Sequence, residues 1–370
     1  MAKTQHHFDH VGSYLRPVEL KEAREGFTNG ELTQEELLKV QDKLVKDLVD
    51  HQVASGLKVV TDGEFGRSWW HLDFLWELTG FETYEQEDSY HFHGAKTRTT
   101  NIRLNGKVAE NPEHPFYRDF EYLRSITPDS VTPKVTIPSP SLVIKRDHRS
   151  DLYADYYDSW VDFLDGLAQA YHDTIQHFYD LGARYVQLDD TTWAYLIQQL
   201  ETYQNEPDKR RPFEEIAEDD VYVINKVLEG LPEDLTVATH ICRGNFKSTY
   251  LFEGSYQTVA KYLGQLNYDI FFLEYDDERS GDFAPLADIW NHRDHVELVL
   301  GLFTSKSADL EDEDKIISRL QEATIYVPYQ NLGVSTQCGF ASTEEGNVLT
   351  EKDQWQKLAL IKSVRDKVWE

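Results

Sequence analysis

Sulfur is almost absent from this chain: among 370 residues there are two cysteines, Cys242 and Cys338, and one methionine, Met1. Two thiols cannot build the disulfide framework that holds small secreted domains together, so stability has to come from a packed core. Long hydrophobic runs are missing too, since no stretch approaches the roughly 20 apolar residues needed to cross a bilayer. The first residues, Met1-Ala-Lys-Thr-Gln-His-His, lack the apolar centre of a signal peptide. A cytoplasmic protein is expected. Positive charge is scarce, with 37 Lys and Arg against 66 Asp and Glu and a formal net charge of −29. Such a surface repels nucleic acids and anionic membranes, which excludes binding to either by bulk electrostatics. Any anionic substrate would need a local basic patch. Low-complexity linkers, short-period repeats and breaks in composition are also absent, so a single domain over residues 1–370 is expected.

What the chain does contain is apolar and aromatic: 40% hydrophobic residues and 13% aromatics, enough to build a large core and to exclude disorder for most of its length. Short β-rich runs alternate with helical stretches. The strand candidates are Phe8–Leu15, Leu57–Thr61, Lys134–Ile137, Tyr185–Leu188, Leu235–Ile241, Ile270–Tyr275, Val296–Phe303 and Gly333–Thr336. Helical spacing appears at Leu37, Val40, Leu44 and Leu48, with Thr33 and Glu36 as a capping box, and over Tyr153–Leu181, Glu214–Leu228, Tyr256–Leu266, Glu311–Tyr326 and Asp353–Trp369. Residues 85–130 are polar and irregular, with alternation that suggests an inserted hairpin. Eight strands separated by helix-length segments favour a (β/α)8 barrel. An open doubly wound sheet is the alternative, but no glycine-rich phosphate loop follows the first strand.

In a barrel, catalytic groups gather at the C-terminal ends of the strands. Polar clusters lie at almost every such position: His10-Val-Gly-Ser13, Thr61-Asp-Gly-Glu64, Gln187-Leu-Asp-Asp190, Thr239-His-Ile-Cys-Arg243, Leu273-Glu-Tyr-Asp-Asp277, Thr304-Ser-Lys-Ser307 and Gln337-Cys-Gly339. His240 and Cys242 stand two apart on a strand, so both side chains leave one face. Glu274 and Cys338 end later strands at the same mouth. Two thiols, an imidazole and a carboxylate suit zinc. The plain alternative is two buried thiols, a packed histidine and a solvated carboxylate. Both cysteines falling at strand ends favours the metal. Thiolate donors leave electron density on zinc, which suits thiol alkylation better than hydrolysis.

The pieces Val11-Gly-Ser13, Asp62-Gly-Glu64, Gln187-Leu-Asp189, His240-Ile-Cys242, Glu274 and Cys338-Gly339 occur in the order found in the catalytic barrel of cobalamin-independent methionine synthase, and the chain resembles a short, single-barrel member of that family over roughly residues 8–369. The resemblance implies zinc held by His240, Cys242, Glu274 and Cys338. It implies that Val11, Gly12 and Ser13 bind the homocysteine carboxylate through backbone N–H groups. Glu64 and Asp189 would take the ammonium, with Asp190 as a competing choice for the second. Asp189 and Lys306 are the expected catalytic residues, Lys306 standing where the family has a histidine. The family's second, N-terminal barrel is absent, and no Trp near Pro133–Leu142 matches the one that stacks on folate. The implied reaction is methyl transfer to homocysteine from a methyltetrahydrofolate, a methyl-corrinoid protein or a sulfonium such as S-methylmethionine. A folate polyglutamate tail would call on Lys96, Arg98 or Arg103. Rival readings are a zinc-free lyase like uroporphyrinogen decarboxylase, a thiol-binding zinc protein and an epoxide–thiol transferase.

Overall fold

A computed structural model describes residues 6–85, 91–92, 95–96, 99–145, 153–245 and 247–370. Seven of the eight expected runs form strands, and Phe8–Leu15 instead makes only an isolated bridge; in chain order the strands are β1 (Val59–Val60), β2 (Thr79–Glu85), β3 (His91–Phe92), β4 (Ala95–Lys96), β5 (Thr100–Ala109), β6 (Thr132–Pro133), β7 (Val135–Pro138), β8 (Tyr185–Asp190), β9 (Thr236–Ile241), β10 (Ile270–Glu274), β11 (Glu297–Phe303) and β12 (Leu332–Thr336). Strands β7 to β12 form one parallel six-stranded sheet in sequence order. That order requires a crossover between successive strands, and helices such as Trp160–Asp180, Pro207–Leu228 and Glu313–Ala323 supply it.

The two remaining barrel positions close the ring more loosely. β1 pairs in parallel with β6, which runs on into β7, and the Lys134 amide donates to the Val60 carbonyl at 2.8 Å. Phe8 makes an isolated parallel bridge to Val334 of β12. The Tyr14 amide reaches the Gly63 carbonyl at 3.1 Å, and the Thr61 hydroxyl donates to the Gly12 carbonyl at 2.6 Å. The fold is a (β/α)8 barrel, with Val11, Val59, Tyr185, Ala238, Ile270, Phe272 and Val299 packed in its interior. Among the described residues, no helix is long and apolar enough to cross a membrane.

The capping box forms as expected: the Thr33 hydroxyl accepts from the Glu36 amide at 3.3 Å and Glu36 accepts from the Thr33 amide at 2.8 Å. The inserted hairpin is displaced from its expected bounds. It begins with β2 at Thr79, which pairs antiparallel with β5, and the short β3–β4 pair lies between them. Residues 115–126, expected to be irregular, form the helix Pro115–Ile126. Pro115 takes its first turn, His114 caps it, and Phe116, Tyr117, Phe120 and Leu123 are the buried face. The expected helix over Tyr256–Leu266 is broken into a 3-10 turn, Tyr256–Thr258, and a single α-turn, Ala260–Leu263.

Candidate metal centre

Strand alternation sends residues 185, 187 and 189 of β8, 238 and 240 of β9, and 270, 272 and 274 of β10 to the barrel interior. The upper layer of this set is polar. His240 sits near the end of β9 and Cys242 just beyond it, Glu274 ends β10, and Cys338 lies two residues past β12. Their ligand atoms all lie within 4.8 Å of one another and all four residues are buried, the one such cluster of His, Cys, Asp or Glu among the described residues. The two sulfurs are 3.7 Å apart. Two thiolates on a tetrahedral zinc at about 2.3 Å would stand about 3.8 Å apart, so the donor set fits the ion. His240 Nε2 is 3.7 Å from Glu274 Oε1, and its Nδ1 is 3.5 Å from Asp189 Oδ1. An outer carboxylate behind a ligand histidine is the arrangement that fixes ring orientation and tautomer.

The four groups are strongly coupled electrostatically. Burial pushes the Glu274 carboxyl up, against the pull of Lys306 and His240. Burial works against a charged His240, yet Asp189, Cys338 and Glu274 together raise its pKa to about 9. The Cys338 contact, then burial, pushes the Cys242 thiol well up, whereas the hydrogen bond from Cys242 holds Cys338 down. Burial and mutual repulsion disfavour ionising Cys242 and Glu274 together, and a divalent ion held among the four groups would offset both.

The segment Val11–Ser13 runs alongside. Gly12 has φ +137°, and a Cβ there would come within 2.8 Å of Thr136 Cγ2. Among the described residues, the N–H groups of Val11, Gly12 and Ser13 donate to no backbone or side-chain acceptor. Gly339 lets this segment approach Cys338, because a Cβ on it would lie 1.9 Å from Ser13 Oγ. Glu64 is buried with φ +61°, a left-handed conformation that L residues with a long side chain rarely hold without a functional reason. Its Oε1 accepts from the Thr136 hydroxyl at 3.1 Å and faces Arg67 Nη1 at 3.5 Å, while Oε2 has no hydrogen-bond partner. Burial raises its pKa to about 7 despite Arg67 and Arg16, and Asp189 adds repulsion. Two acidic groups and an unsatisfied oxygen form a place for a cation.

Asp190 does not face this site. Its two oxygens are taken by the Ser141 hydroxyl at 2.6 Å and the Thr192 amide at 2.7 Å, outside the barrel wall. Lys306 is ion-paired with Asp276, two residues beyond Glu274. Arg103 is paired with Glu82 at 2.6 Å on the hairpin, and the side chains of Lys96 and Arg98 lie outside the described residues. Three neighbours were not singled out by sequence reasoning. Thr136 carries Glu64, Gln187 donates to Asp189 at 2.7 Å, and Trp70 donates its amide to Ser342, whose hydroxyl is 3.9 Å from Cys338 Sγ. The motif Gln187-Leu-Asp189 contained the second; the other two had no signal.

Residues 8–359 match the family model described as cobalamin-independent synthase, catalytic domain. The chain is 43% identical to an uncharacterised protein, YxjG, of Bacillus subtilis, over 98% of this chain and 94% of that one. It is 24% identical to a methionine synthase of Sulfurisphaera tokodaii, over 94% of this chain and 88% of the relative. A solved structure from Listeria monocytogenes, described as a candidate vitamin-B12 independent methionine synthase, superposes with a TM-score of 0.76 at 37% identity and covers 98% of this chain and 97% of its own.

Proposed function

This chain belongs to the cobalamin-independent synthase family, and on that premise we propose that it transfers a methyl group to the thiol of homocysteine, forming methionine, with zinc held by His240, Cys242, Glu274 and Cys338. The observation that carries this reading is the buried cluster itself, with two sulfurs spaced as zinc ligands. Zinc, when bound, supplies a positive charge that lowers the pKa of the substrate thiol, while the protein's own thiolates keep the substrate sulfur nucleophilic.

The protein's residues do the rest. Glu64 and Asp189 receive the ammonium, and the N–H groups of Val11, Gly12 and Ser13 take the carboxylate. Asp189 also faces His240 Nδ1 and fixes the ring. The substrate sulfur attacks the methyl carbon in line, so the S–CH3 bond forms as the donor's bond to methyl breaks. The thiol proton passes to solvent when the thiolate binds, and the electron pair of the broken bond departs with the demethylated donor. Lys306, in place of the family's histidine, acts as a fixed countercharge beside Asp276 and Glu274. The donor belongs to one of three chemical classes: a methyltetrahydrofolate, a methyl-corrinoid protein or a sulfonium such as S-methylmethionine. Zinc-loaded protein given homocysteine and each donor in turn should form methionine with one of them. Zinc-edge absorption should also gain one sulfur neighbour when homocysteine is added. An unchanged sulfur count at saturating homocysteine overturns this reading.

A further inference from the structure

Beneath the metal ligands the barrel interior holds a charge that the proposed reaction does not use. The Lys134 side chain is fully buried, at 0% exposure. A buried ammonium is tolerated only when each of its three protons finds an acceptor. Lys134 Nζ donates to Asp9 Oδ1 at 3.1 Å, to Gln187 Oε1 at 3.0 Å and to the His10 carbonyl. The Tyr185 hydroxyl takes the other Asp9 oxygen at 2.7 Å, and the rings of Tyr185 and Phe272 lie 5.1 and 4.8 Å from the ammonium.

An ammonium can only donate, so it settles which end of the Gln187 amide faces it. Oε1 must point at Lys134, and Nε2 is turned up the barrel axis. There Nε2 donates to the Val11 carbonyl at 2.7 Å and to Asp189 Oδ1 at 2.7 Å. Both targets belong to the pocket: one carries the carboxylate-binding segment, the other the ammonium-binding carboxylate. Lys134 itself holds the His10 carbonyl, one residue before Val11.

We infer that Lys134 and Gln187 are positioning residues that preset the pocket for a thiol bearing an α-amino-acid group. The buried lysine orients the amide, and the amide holds Asp189 and the Val11–Ser13 segment at a fixed separation. This rests on the proposed reading of those groups as amino-acid contacts. A network that merely filled the barrel would support every thiol alike.

The test uses zinc-loaded full-length protein and calorimetric binding of two thiols, homocysteine and 2-mercaptoethanol. Gln187→Glu keeps the size and still accepts from Lys134, but has no N–H for Asp189 or Val11. Gln187→Met keeps the volume and adds no charge, so it decides the matter should the first variant not fold. Both should retain stoichiometric zinc and unchanged 2-mercaptoethanol binding, and lose homocysteine affinity by roughly ten- to a hundredfold, the range of a hydrogen bond to a charged group. Unchanged homocysteine affinity, or equal losses for the two thiols, overturns the positioning role. Wild-type protein that binds both thiols equally well overturns the amino-acid reading, and the positioning role with it.

Discussion

Cys242 and Cys338 come from the ends of β9 and β12, and no other cysteine can replace either. The core that holds the barrel is apolar and lies away from them, so Cys242→Ser and Cys338→Ser should fold with near wild-type melting. Each should lose zinc affinity by more than the roughly 10–100-fold that removal of an outer-shell partner costs. Metal analysis after dialysis reads this, and stoichiometric zinc in both variants would refute the four-ligand set. Glu64 makes a second claim. Its pKa is raised to about 7, burial being the main cause, and only the ionised form attracts an ammonium. Affinity for methionine, which has the amino-acid group but no thiol proton, should therefore be full above pH 7. It should fall by about tenfold per unit below that. Glu64→Gln should bind weakly with a flat profile, and a wild-type affinity that stays constant from pH 5 to 8 contradicts the assignment.

At the scale of elements, the close approach of two loops sets the pocket wall. Gly339→Ala would drive a methyl group into Ser13, whose Oγ, Cβ and N lie 1.9, 3.1 and 3.2 Å from the added carbon. The Ser13 segment has to move, at a cost of about 1–3 kcal/mol in stability. Homocysteine affinity should drop while zinc stays bound. Wild-type homocysteine binding in this variant would show that Ser13 lies outside the pocket. Most strands and helices were legible because their apolar runs and 3.6-residue spacings are unmixed, whereas Phe8–Leu15 makes only the Phe8–Val334 bridge. That His240 and Cys242 share a face was legible because a two-residue spacing at a strand end constrains direction, and Glu274 and Cys338 join them in one buried cluster. Helix Pro115–Ile126 was hidden by its Asn-Pro-Glu-His-Pro entry, which reads as loop, although Phe116, Tyr117, Phe120 and Leu123 carry a helical face. Lys134 was hidden for a different reason. A lysine beside an apolar strand reads as a solvated end, and only the fold shows that three acceptors wait for it inside the barrel. Asp190 was separable from Asp189 by strand alternation alone, which sends neighbours to opposite faces.

For the molecule as a whole, the excess of acidic groups is the dominant long-range term. A net charge of −29 repels itself, whereas exposed pairs such as Lys39–Glu35 at 2.7 Å are each worth about 0–1 kcal/mol and are screened as well. Repulsion is the larger loss, so screening should stabilise. Raising NaCl from about 20 mM to 500 mM shortens the Debye length well below 10 Å, and the melting temperature should rise, which calorimetry at constant pH reads directly. A fall would mean that paired charges outweigh unpaired ones. The ring closure at Phe8 and Val334 also bears on time. Those residues stand more than three hundred positions apart in the chain, so their contact has among the largest loop entropies to overcome and is favoured to form late. The proposed ligands His240, Cys242, Glu274 and Cys338 all lie in the C-terminal half, within or just beyond one continuous sheet. The order of assembly that follows is a metal-binding half first and a substrate pocket last. During refolding, zinc should be captured before the chain can tell homocysteine from any other thiol.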